Sequence, residues 1–399
     1  MKIIYFYQYF STPAGSWGTR VYEFAGEWVR AGHDVTIISS IYSKSDLKAT
    51  KLIEDQVFDG IKVKVLNVII DNKQSILKRI WSFIKYAVLS SWYALVLPAD
   101  VVIASSGPIT VGIPGLIARY LRGKKLVFET RDLWPEGAIE LGIIRNNVIK
   151  TIAYWFEATC YRASSLIVSL SPGMKIYIEK HHMHPNVISV TNAANIPLFA
   201  EEKPFNGRGI VTPKKYAIYT GNIGAVNNSY WLFEAAEILK DKGREDIIIL
   251  LVGEGQQCIE LEELAEKRGI NNFIRIGLMP KTELVGLVQQ ALVSLVPLKG
   301  TPVLDTSSPN KFFESLAAGV PIIQNTNGWM KDFLQEHEIG FTIDPNKPMD
   351  LALKLIEMDS NSDYYSKEVR PRAMEIARKE FDAGLLAHKI LSEIIKIVS

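Results

Sequence analysis

The feature that most constrains the fold is an alternation of short apolar, β-rich runs with helical stretches along most of the chain. In the first half, Lys2 to Tyr7 is followed by a helical stretch from Gly18 to Ala31 and a second apolar run from Val35 to Ser39. A strand, a helix and a strand in that order favour a parallel sheet, because the helix returns the chain to the edge at which the first strand began. The alternation therefore predicts an α/β architecture.

The second half repeats this alternation, which predicts a second doubly wound domain. Between the halves, the stretch from Phe199 to Lys214 contains prolines and glycines among charged residues, as an interdomain linker would. A chain of 399 residues is also too long for one ordinary hydrophobic core. We therefore predict an N-terminal domain over 1–203, a C-terminal domain over 204–375 and a last helix at 376–399 that packs back on the first domain.

The charge balance argues against a nucleic-acid partner. The chain has 45 basic and 43 acidic residues, a formal net charge of +2, so no global positive field attracts a polyanion. Its two cysteines, Cys160 and Cys258, form no Cys-x-x-Cys motif, which indicates a reducing compartment such as the cytoplasm. The run from Met1 to Phe10 has no small-residue cleavage site, so we interpret it as a buried strand rather than a signal peptide.

The segment from Ile76 to Leu97 has about the length of a membrane span. Lys78, Arg79 and Lys85 interrupt it, so a spanning helix is not expected. Its aromatic residues among basic ones fit either a helix lying at a lipid surface or a helix packed on the protein.

Three glycine-rich turns follow predicted strands, where open parallel sheets bind ligands. They are Gly15 to Gly18 in the first half, and Thr220 to Gly224 and Val252 to Gly255 in the second half. Each turn alone is more often a tight turn without a ligand. Together, at equivalent places in two domains, they indicate a cleft that binds a phosphate through backbone N–H groups.

The most informative segment runs from Leu304 to Pro321. In it Ser308 is a suitable helix N-cap, Pro309 fits the first helical position, and Gly319 fits the end of the helix. The segment therefore predicts a helix whose positive end faces the cleft.

Lys311 and Glu314 are three residues apart and share one face near the start of that helix. A phosphate would meet the lysine and the helix N–H groups, and the carboxylate would accept hydrogen bonds from two vicinal hydroxyls. A solvent-exposed Lys–Glu pair is the alternative, but it does not explain the proline-containing start or the apolar tail of the segment. The pair therefore predicts a site for a nucleoside diphosphate and its ribose.

The segment resembles the C-terminal motif of retaining glycosyltransferase family 4, in the Ser-Pro-Asn-Lys-Phe-Phe-Glu form of bacterial O-antigen and capsule enzymes. The resemblance covers nearly the whole chain and is greatest to enzymes of the N-acetyl-L-fucosaminyltransferase type. It implies a GT-B fold, two doubly wound Rossmann-like domains with a cleft between them. Other matching stretches are Glu129 to Glu136, Ser169 to Ser171, Thr191 to Asn195, Tyr219 to Gly224 and Leu251 to Gly255.

In the second half, the resemblance implies that Glu314 binds the ribose, that Lys311 and the turn Gly221–Gly224 hold the diphosphate, and that the base lies against main chain near Leu278 and Met279. The expected nucleotide-sugar residues are Gly221, Asn222, Ile223, Gly224, Glu254, Leu278, Met279, Lys299, Asp305, Thr306, Ser308, Asn310, Lys311 and Glu314.

The sequence departs from the family pattern at two places. Thr306 stands where many members have a glutamate, so Asp305 or a backbone N–H group must make that contact to the donor sugar. The stretch from Ala225 to Asn228 is neutral where many members have arginine and lysine, so the phosphate charge falls on Lys299, Lys311 and helix dipoles. This pattern suits an altered or deoxy donor sugar.

In the first half, Arg131 and Asp132 follow a predicted strand and are the candidate catalytic residues. A strand-end salt bridge between them is the structural alternative. The residues expected to contact the acceptor are Ser16, Trp17, Gly18, Arg20, Trp134 and Glu136.

The resemblance implies transfer of a sugar, such as an N-acetylated 6-deoxyhexose, from a UDP-sugar to a polyprenyl-diphosphate-linked saccharide at the inner leaflet of the membrane. With no Asp-x-Asp motif in a suitable place, we expect no metal and no cofactor. Two alternatives remain open at this point. A non-hydrolysing UDP-sugar epimerase uses the same two-domain architecture, and a non-catalytic scaffold of a polysaccharide complex would explain the missing glutamate.

Overall fold

The computed structural model describes residues 1–71, 74–205, 207 and 209–399, and its chain forms two compact units. The first domain consists of Met1–Thr191 together with Ala383–Ser399, and the second consists of Asn192–Asp382. Residues 206 and 208 of the predicted linker lie outside the described residues.

The division after Thr191 differs from the boundary predicted after residue 203. The Asn192 side chain donates to the carbonyl oxygen of Ser308 (2.5 Å), and the Gln289 side chain donates to that of Phe199 (2.9 Å). The segment therefore packs in the second domain through polar contacts with distant residues, which composition does not reveal.

The first domain contains an eight-stranded sheet in the order β3-β4-β2-β1-β5-β6-β7-β8. Its strands are β1 (Lys2–Phe6), β2 (Asp34–Tyr42), β3 (Ile53–Phe58), β4 (Ile61–Ile70), β5 (Val101–Ser106), β6 (Lys125–Thr130), β7 (Leu166–Ser169) and β8 (Val187–Ser189). Only the edge pair β3–β4 is antiparallel among the described strands. The central strands are buried apolar runs, because helices cover both faces of a parallel sheet.

The helices of this domain connect successive strands. They are α1 (Arg20–Arg30), α2 (Ile76–Val96), α3 (Gly112–Arg122), α4 (Glu136–Glu140), α5 (Asn147–Ala163) and α6 (Pro172–His182), with a 3₁₀ helix at Ile109–Val111. Among the residues that the structure describes, no helix is long and apolar enough to cross a membrane.

The second domain contains a six-stranded, all-parallel sheet in the order β11-β10-β9-β12-β13-β14. Its strands are β9 (Tyr216–Asn222), β10 (Ile248–Glu254), β11 (Phe273–Ile276), β12 (Val293–Val296), β13 (Ile322–Gln324) and β14 (Gly340–Thr342). The first strand in sequence lies in the middle and the chain winds outward from it on both sides, which is the doubly wound arrangement. The prediction of two Rossmann-like α/β domains is confirmed.

The helices of the second domain lie before the first strand, between the strands and after the last of them. They are α7 (Ile196–Ala200), α8 (Ser229–Asp241), α9 (Cys258–Arg268), α10 (Lys281–Gln289), α11 (Asn310–Ala317), α12 (Trp329–His337), α13 (Pro348–Ser360), α14 (Ser362–Tyr364) and α15 (Arg370–Glu380), with 3₁₀ helices at Ala225–Asn227 and Pro302–Thr306 and a π-helical turn at Tyr365–Val369.

The last helix, α16 (Ala383–Val398), belongs to the first domain, whereas residues 376–382 of the predicted last segment lie in the second domain, where α15 ends at Glu380. It packs against α1, where the indole N–H of Trp28 donates to the carbonyl oxygen of Ala387 (2.9 Å). Its buried face includes Leu386, Ile390 and Ile394. The chain therefore returns to complete the core of the first domain.

Two adjacent isoleucines test this packing. Ile394 is 0% exposed and Ile395 is 46% exposed. Ile394→Ala leaves a cavity and should lower the free energy of unfolding by about 2–5 kcal/mol, whereas Ile395→Ala should change it by less than about 0.5 kcal/mol. Denaturant unfolding followed by circular dichroism measures both. If both variants lowered the free energy of unfolding equally, the described packing of α16 on the first domain would be wrong.

Candidate functional site

The loops that follow β9, β10 and β12 are joined at the carboxyl end of the second sheet. β9 lies between β10 and β12, so the strand order reverses at this point, where doubly wound sheets bind ligands. The Ile223 N–H donates to the carbonyl oxygen of Glu254 (3.1 Å), and the Lys299 N–H donates to that of Val226 (2.8 Å). Predicted residues from three loops are therefore neighbours.

The last residues of β9 and β10 and the loops that follow them touch backbone to backbone. A Cβ atom at Gly253 would lie 1.9 Å from the carbonyl oxygen of Gly221, and one at Gly255 would lie 1.8 Å from that of Ile223. Gly221 and Gly253 also have φ angles of +134° and +152°, which residues with a Cβ rarely adopt. This close approach requires the glycines whether or not a ligand binds.

The turn after β9 uses two of its N–H groups within the domain. The Ile223 N–H bonds to Glu254, and the Gly224 N–H donates to the hydroxyl oxygen of Ser229 (3.0 Å). The predicted contacts from these two amides to a phosphate are therefore not available in this structure. The sequence could not reveal this, because a glycine turn has the same appearance with or without internal partners.

Lys311 brings a positive charge to the same turn. Its Nζ lies 4.3 Å from the centre of the Tyr219 ring, and it would lie 3.3 Å from a Cβ atom built on Gly221. The Tyr219 hydroxyl donates to the carbonyl oxygen of Asn222, which fixes the ring beneath the turn. The structure therefore brings together Lys311, Gly221 and Asn222, three of the predicted nucleotide-sugar residues.

Glu314 lies one helical turn beyond Lys311 on α11, and its carboxylate pairs with the ammonium group of Lys281. Both residues of this pair are buried, Lys281 with 8% and Glu314 with 7% of its surface exposed. A carboxylate has about four acceptor positions, so this bond leaves capacity for the hydroxyl groups of a ribose.

Sequence reasoning missed Lys281. It begins α10 directly after Pro280, which follows Leu278 and Met279, the residues predicted to face the base. That adjacency was the available signal. In the structure the Leu278 side chain is exposed and the Met279 side chain is buried.

The remaining predicted residues of these loops have other settings. The Glu254 carboxylate accepts a hydrogen bond from the Arg275 guanidinium (2.9 Å). Lys299 is exposed, and Asn310, at the start of α11, is half-buried.

Asp305 and Thr306 lie in the 3₁₀ helix before α11. The Thr306 hydroxyl donates to the carbonyl oxygen of Val303 (2.7 Å), and the Asp305 carboxylate accepts from the N–H of Asn327 (2.8 Å). The Thr306 side chain therefore closes its own 3₁₀ helix, and the Asp305 side chain joins that helix to the loop after β13.

The predicted capping of α11 is wrong at its first position. The helix begins at Asn310, its N-cap residue is Pro309 in an extended conformation, and the cap makes no side-chain hydrogen bond. The hydroxyl of Ser308 instead accepts from the N–H of Asn192 (3.4 Å), so a long-range contact takes the group that local propensity assigned to the helix. Gly319, with φ of +72°, lies just beyond the helix end as predicted.

The first domain contains a buried carboxylate among its central strands. Glu129, in β6, is 1% exposed and accepts hydrogen bonds from Arg20 (3.0 Å), the Tyr5 hydroxyl (2.7 Å) and the Ser105 hydroxyl (2.5 Å). Burial by itself raises the pKa of Glu129, but the charges of Arg20 and Arg131 and the hydroxyl donors outweigh it, so the pKa lies below its usual value. Sequence reasoning did not assign this residue.

Arg20 is the buried partner of Glu129 rather than an exposed residue. Its remaining donors bond to the carbonyl oxygens of Thr191 and of Val190 (3.0 Å). These partners and its burial correct the expectation that Arg20 contacts an acceptor. The reason is that Arg20, two residues after the turn Gly15 to Gly18, gives no sign in the sequence of a carboxylate partner over a hundred positions away.

Arg131 and Asp132 follow β6 directly and have different surroundings. The Arg131 guanidinium lies 4.9 Å from the centre of the Tyr7 ring and 3.9 Å from the Glu129 carboxylate. Asp132 is exposed. Among the ion pairs of the described residues, none joins Arg131 to Asp132, so the strand-end salt bridge is not what the structure contains.

The other residues expected to contact the acceptor lie on the loops after β1 and β6. They are Ser16, Trp17, Gly18, Trp134 and Glu136. The Trp17 ring packs edge-on to Tyr42, with centres 4.9 Å apart. The Glu136 carboxylate accepts hydrogen bonds from the hydroxyls of Tyr154 and Tyr177.

Metal-ligating side chains do not cluster in the part of the chain that the structure describes. No group of three or more histidine, cysteine, aspartate or glutamate residues there could hold an ion. The expectation of metal-independent chemistry stays a prediction.

Family models match each domain separately. Residues 15–192 match the glycosyl transferase 4-like domain, and residues 201–380 match glycosyl transferases group 1. The two matches leave only residues 1–14, 193–200 and 381–399 unmatched.

Two curated proteins and a solved structure are among the proteins similar to this chain. It is 23% identical over 274 residues to the probable glycosyltransferase WbjE of Pseudomonas aeruginosa, covering 66% of this chain and 68% of that protein. It is 27% identical over 217 residues to the putative colanic acid biosynthesis glycosyl transferase WcaI of Escherichia coli K12, covering 52% of each. The structure of Anabaena Alr3699/HepE in complex with UDP and glucose matches with a TM-score of 0.68 at 14% identity, over 99% of this chain and 100% of that chain.

The variant Glu129→Gln tests the buried pair of the first domain. Near pH 7 it leaves Arg20 without its carboxylate partner inside the protein, and we expect a loss of about 3–5 kcal/mol in the free energy of unfolding. Because the native pKa is lowered, the contribution of Glu129 is complete above the unfolded pKa of about 4.3 and disappears as the pH falls through the native pKa. The difference in the free energy of unfolding between wild type and Glu129→Gln should therefore become smaller as the pH falls.

Urea unfolding of both proteins at a series of pH values measures this difference in the free energy of unfolding. Glu179→Gln, at a surface pair with Lys175, is the control and should change the stability by less than about 1 kcal/mol. If the difference in the free energy of unfolding between wild type and Glu129→Gln increased as the pH fell, Glu129 would not be an ionised partner of Arg20.

Proposed function

The chain is a glycosyltransferase with the GT-B fold, and on that basis we propose that it transfers a sugar from a UDP-sugar to a lipid-linked saccharide in the synthesis of a bacterial surface polysaccharide. The observation that carries the donor assignment is the position of Lys311 against the Gly221 turn, with Glu314 one turn further along the same helix. A lysine and a carboxylate at that separation suit a diphosphate and a ribose.

In this reaction the main task of the protein is to stabilise the leaving group. Breaking a glycosyl–phosphate bond passes through an oxocarbenium-like state while negative charge grows on the departing phosphate. Lys311 supplies a fixed positive charge for that phosphate, and the positive end of α11 adds to it. Since the amides of Ile223 and Gly224 are occupied, Lys311 carries a larger share than the sequence suggested.

Glu314 would recognise the ribose through its two hydroxyls, and Lys281 would hold its carboxylate in place. Arg131 and Asp132 at the end of β6 are the proposed catalytic residues, and transfer would proceed with retention and without a metal. The neutral Thr306 and the Asp305 carboxylate bound to Asn327 leave the donor-sugar pocket without a free acidic side chain from this loop. That setting favours a deoxy or N-acetylated sugar.

The similar proteins support this proposal in part. The solved HepE structure holds UDP and glucose, and the name of WcaI refers to colanic acid biosynthesis. A UDP-sugar donor and a polysaccharide product are therefore reasonable for this chain. The polyprenyl-diphosphate carrier of the acceptor is our extension, based on the aromatic and basic helices of the first domain.

Nucleotide analogues test the two site residues separately. Wild type should bind UDP more tightly than UMP, and Lys311→Met should lose about tenfold or more of that preference, because a charged hydrogen bond is worth about 1.5–3 kcal/mol. Wild type should also prefer UDP to 2′-deoxy-UDP, and Glu314→Gln should lose that preference. Isothermal titration calorimetry measures each dissociation constant.

Glu263→Ala, on the exposed side of α9, is the control and should bind all three nucleotides as wild type does. The melting temperature without nucleotide shows whether each variant is folded. If Glu314→Gln kept the full preference for UDP over 2′-deoxy-UDP while remaining folded, the ribose assignment would be wrong.

A product assay tests the reaction class. Incubation with UDP-sugar and a lipid-linked saccharide should give an elongated acceptor, and UDP-sugar alone should give no epimer. Epimer formation without acceptor would contradict the proposed transfer and favour the epimerase alternative.

A further inference from the structure

Three tryptophans of the first domain are exposed. Trp81 is 68% exposed, and Trp92 and Trp155 are each 62% exposed. The other tryptophans, all among the described residues, are buried or half-buried. Trp81 and Trp92 lie on α2 and Trp155 lies on α5, so the exposure is concentrated on two helices. Large apolar side chains gathered at a surface indicate a partner.

On α2 the exposed apolar residues form a stripe along the whole helix. Six of them recur every three or four positions, at Leu77, Trp81, Ile84, Val88, Trp92 and Val96, and Ile80 lies beside Trp81. The opposite side of the helix is buried, and there the Tyr86 hydroxyl donates to the carbonyl oxygen of Ile38 (2.7 Å). One side of the helix therefore packs on the domain, and the other side carries an exposed apolar stripe.

Helices α3 and α5 extend this surface. The crossovers through α2, α3 and α5 all run in the same direction along the sheet, so right-handed connections place the three helices on one face. α3 packs against both α2 and α5. The exposed apolar residues that they add are Tyr120, Leu121, Val148, Ile149, Ile152 and Trp155. We call this set, with the α2 stripe, the three-helix surface.

The charge of this surface has one sign. The segments 76–97, 112–125 and 145–163 contain ten lysines and arginines. Their one acidic residue is Glu157, which is 1% exposed. The chain as a whole has nearly equal numbers of both charges, so the basic excess is local. Lys78, Lys85 and Arg122 are exposed beside the apolar stripe.

Anionic lipid explains this combination better than a protein partner does. Tryptophan and tyrosine settle at the boundary between lipid head groups and acyl chains, and lysine side chains reach from that depth to the phosphates. Protein interfaces, by contrast, are depleted in lysine. The length of α2, 21 residues or about 30 Å, makes the surface an extended one rather than a pocket.

We propose that the three-helix surface docks the first domain on an anionic lipid bilayer, with the tryptophans inserted among the head groups and the basic residues paired with lipid phosphates. This inference deepens the proposed function, because it names the surface that holds the enzyme beside a lipid-linked acceptor. It does not depend on the identity of the donor. Docking and nucleotide binding can therefore fail independently.

Vesicle binding by the full chain tests the proposal. Purified wild type should co-sediment with vesicles of phosphatidylglycerol and phosphatidylcholine, bind phosphatidylcholine vesicles more weakly, and be released by salt. Brominated lipids should quench its tryptophan fluorescence. The triple variant Trp81→Ser, Trp92→Ser, Trp155→Ser should lower the partition coefficient by about tenfold or more and remove the quenching.

A second variant separates charge from apolar insertion. Lys78→Gln, Lys85→Gln, Arg122→Gln should reduce binding to anionic vesicles and leave the weak binding to neutral vesicles unchanged. The matched controls change exposed residues elsewhere, Leu52→Ser, Val57→Ser, Ile259→Ser for the apolar set and Lys242→Gln, Lys267→Gln, Lys367→Gln for the basic set. Both controls should bind vesicles as wild type does.

Several outcomes would overturn the proposal. Two of them are failure of wild type to bind anionic vesicles and unchanged vesicle binding by the tryptophan variant. A third is that wild type binds no lipid but self-associates, and that the tryptophan variant does not self-associate. That result would identify the surface as an interface between two copies of the chain. The melting temperature and the UDP affinity of each variant are measured in parallel. If wild type bound vesicles but did not bind UDP, the result would count against the proposed donor alone.

Discussion

Both domains depend on the same constraint, the placement of the first strand in the middle of a parallel sheet. In the second domain β9 pairs with β10 on one side and β12 on the other, and the chain must wind outward in both directions. Because these strands are parallel, the loops that follow them lie at one edge of the sheet, and the winding direction reverses at β9. The glycines at 221, 253 and 255 then permit the backbones to touch, and the loops form a surface against which Lys311 lies.

The same winding determines where charge is held inside and where apolar surface is left outside. In the first domain, β1, β5 and β6 bring Tyr5, Ser105 and Glu129 together, and Arg20 at the start of α1 balances the buried carboxylate. The crossovers from β4 to β7 run in one direction, so α2, α3 and α5 share a face. Their inner sides bury against the sheet, and their outer sides together form the three-helix surface.

Much of the proposed donor site was predictable because its signals are local. Lys311 and Glu314 are one helical turn apart, and the glycine turns follow strands that hydrophobic runs indicate. Several details that the sequence did not reveal involve partners distant in sequence. Ser308 is engaged by Asn192, and Glu314 pairs with Lys281, 33 positions away. No propensity or spacing rule contains those contacts, because they arise only when separate loops converge.

The sequence by itself determined the α/β class, the two Rossmann-like domains, the positions of the site loops at strand ends and the presence of a basic aromatic helix at 76–97. Each of these follows from periodicity and from the conformational limits of glycine and proline. Only the tertiary structure decided that Arg20 is buried against Glu129, that the Ile223 and Gly224 amides are occupied, and that three helices share one exposed face. The physical reason is that hydrogen-bond partners and burial are properties of neighbours in space, and a linear pattern records only neighbours along the chain.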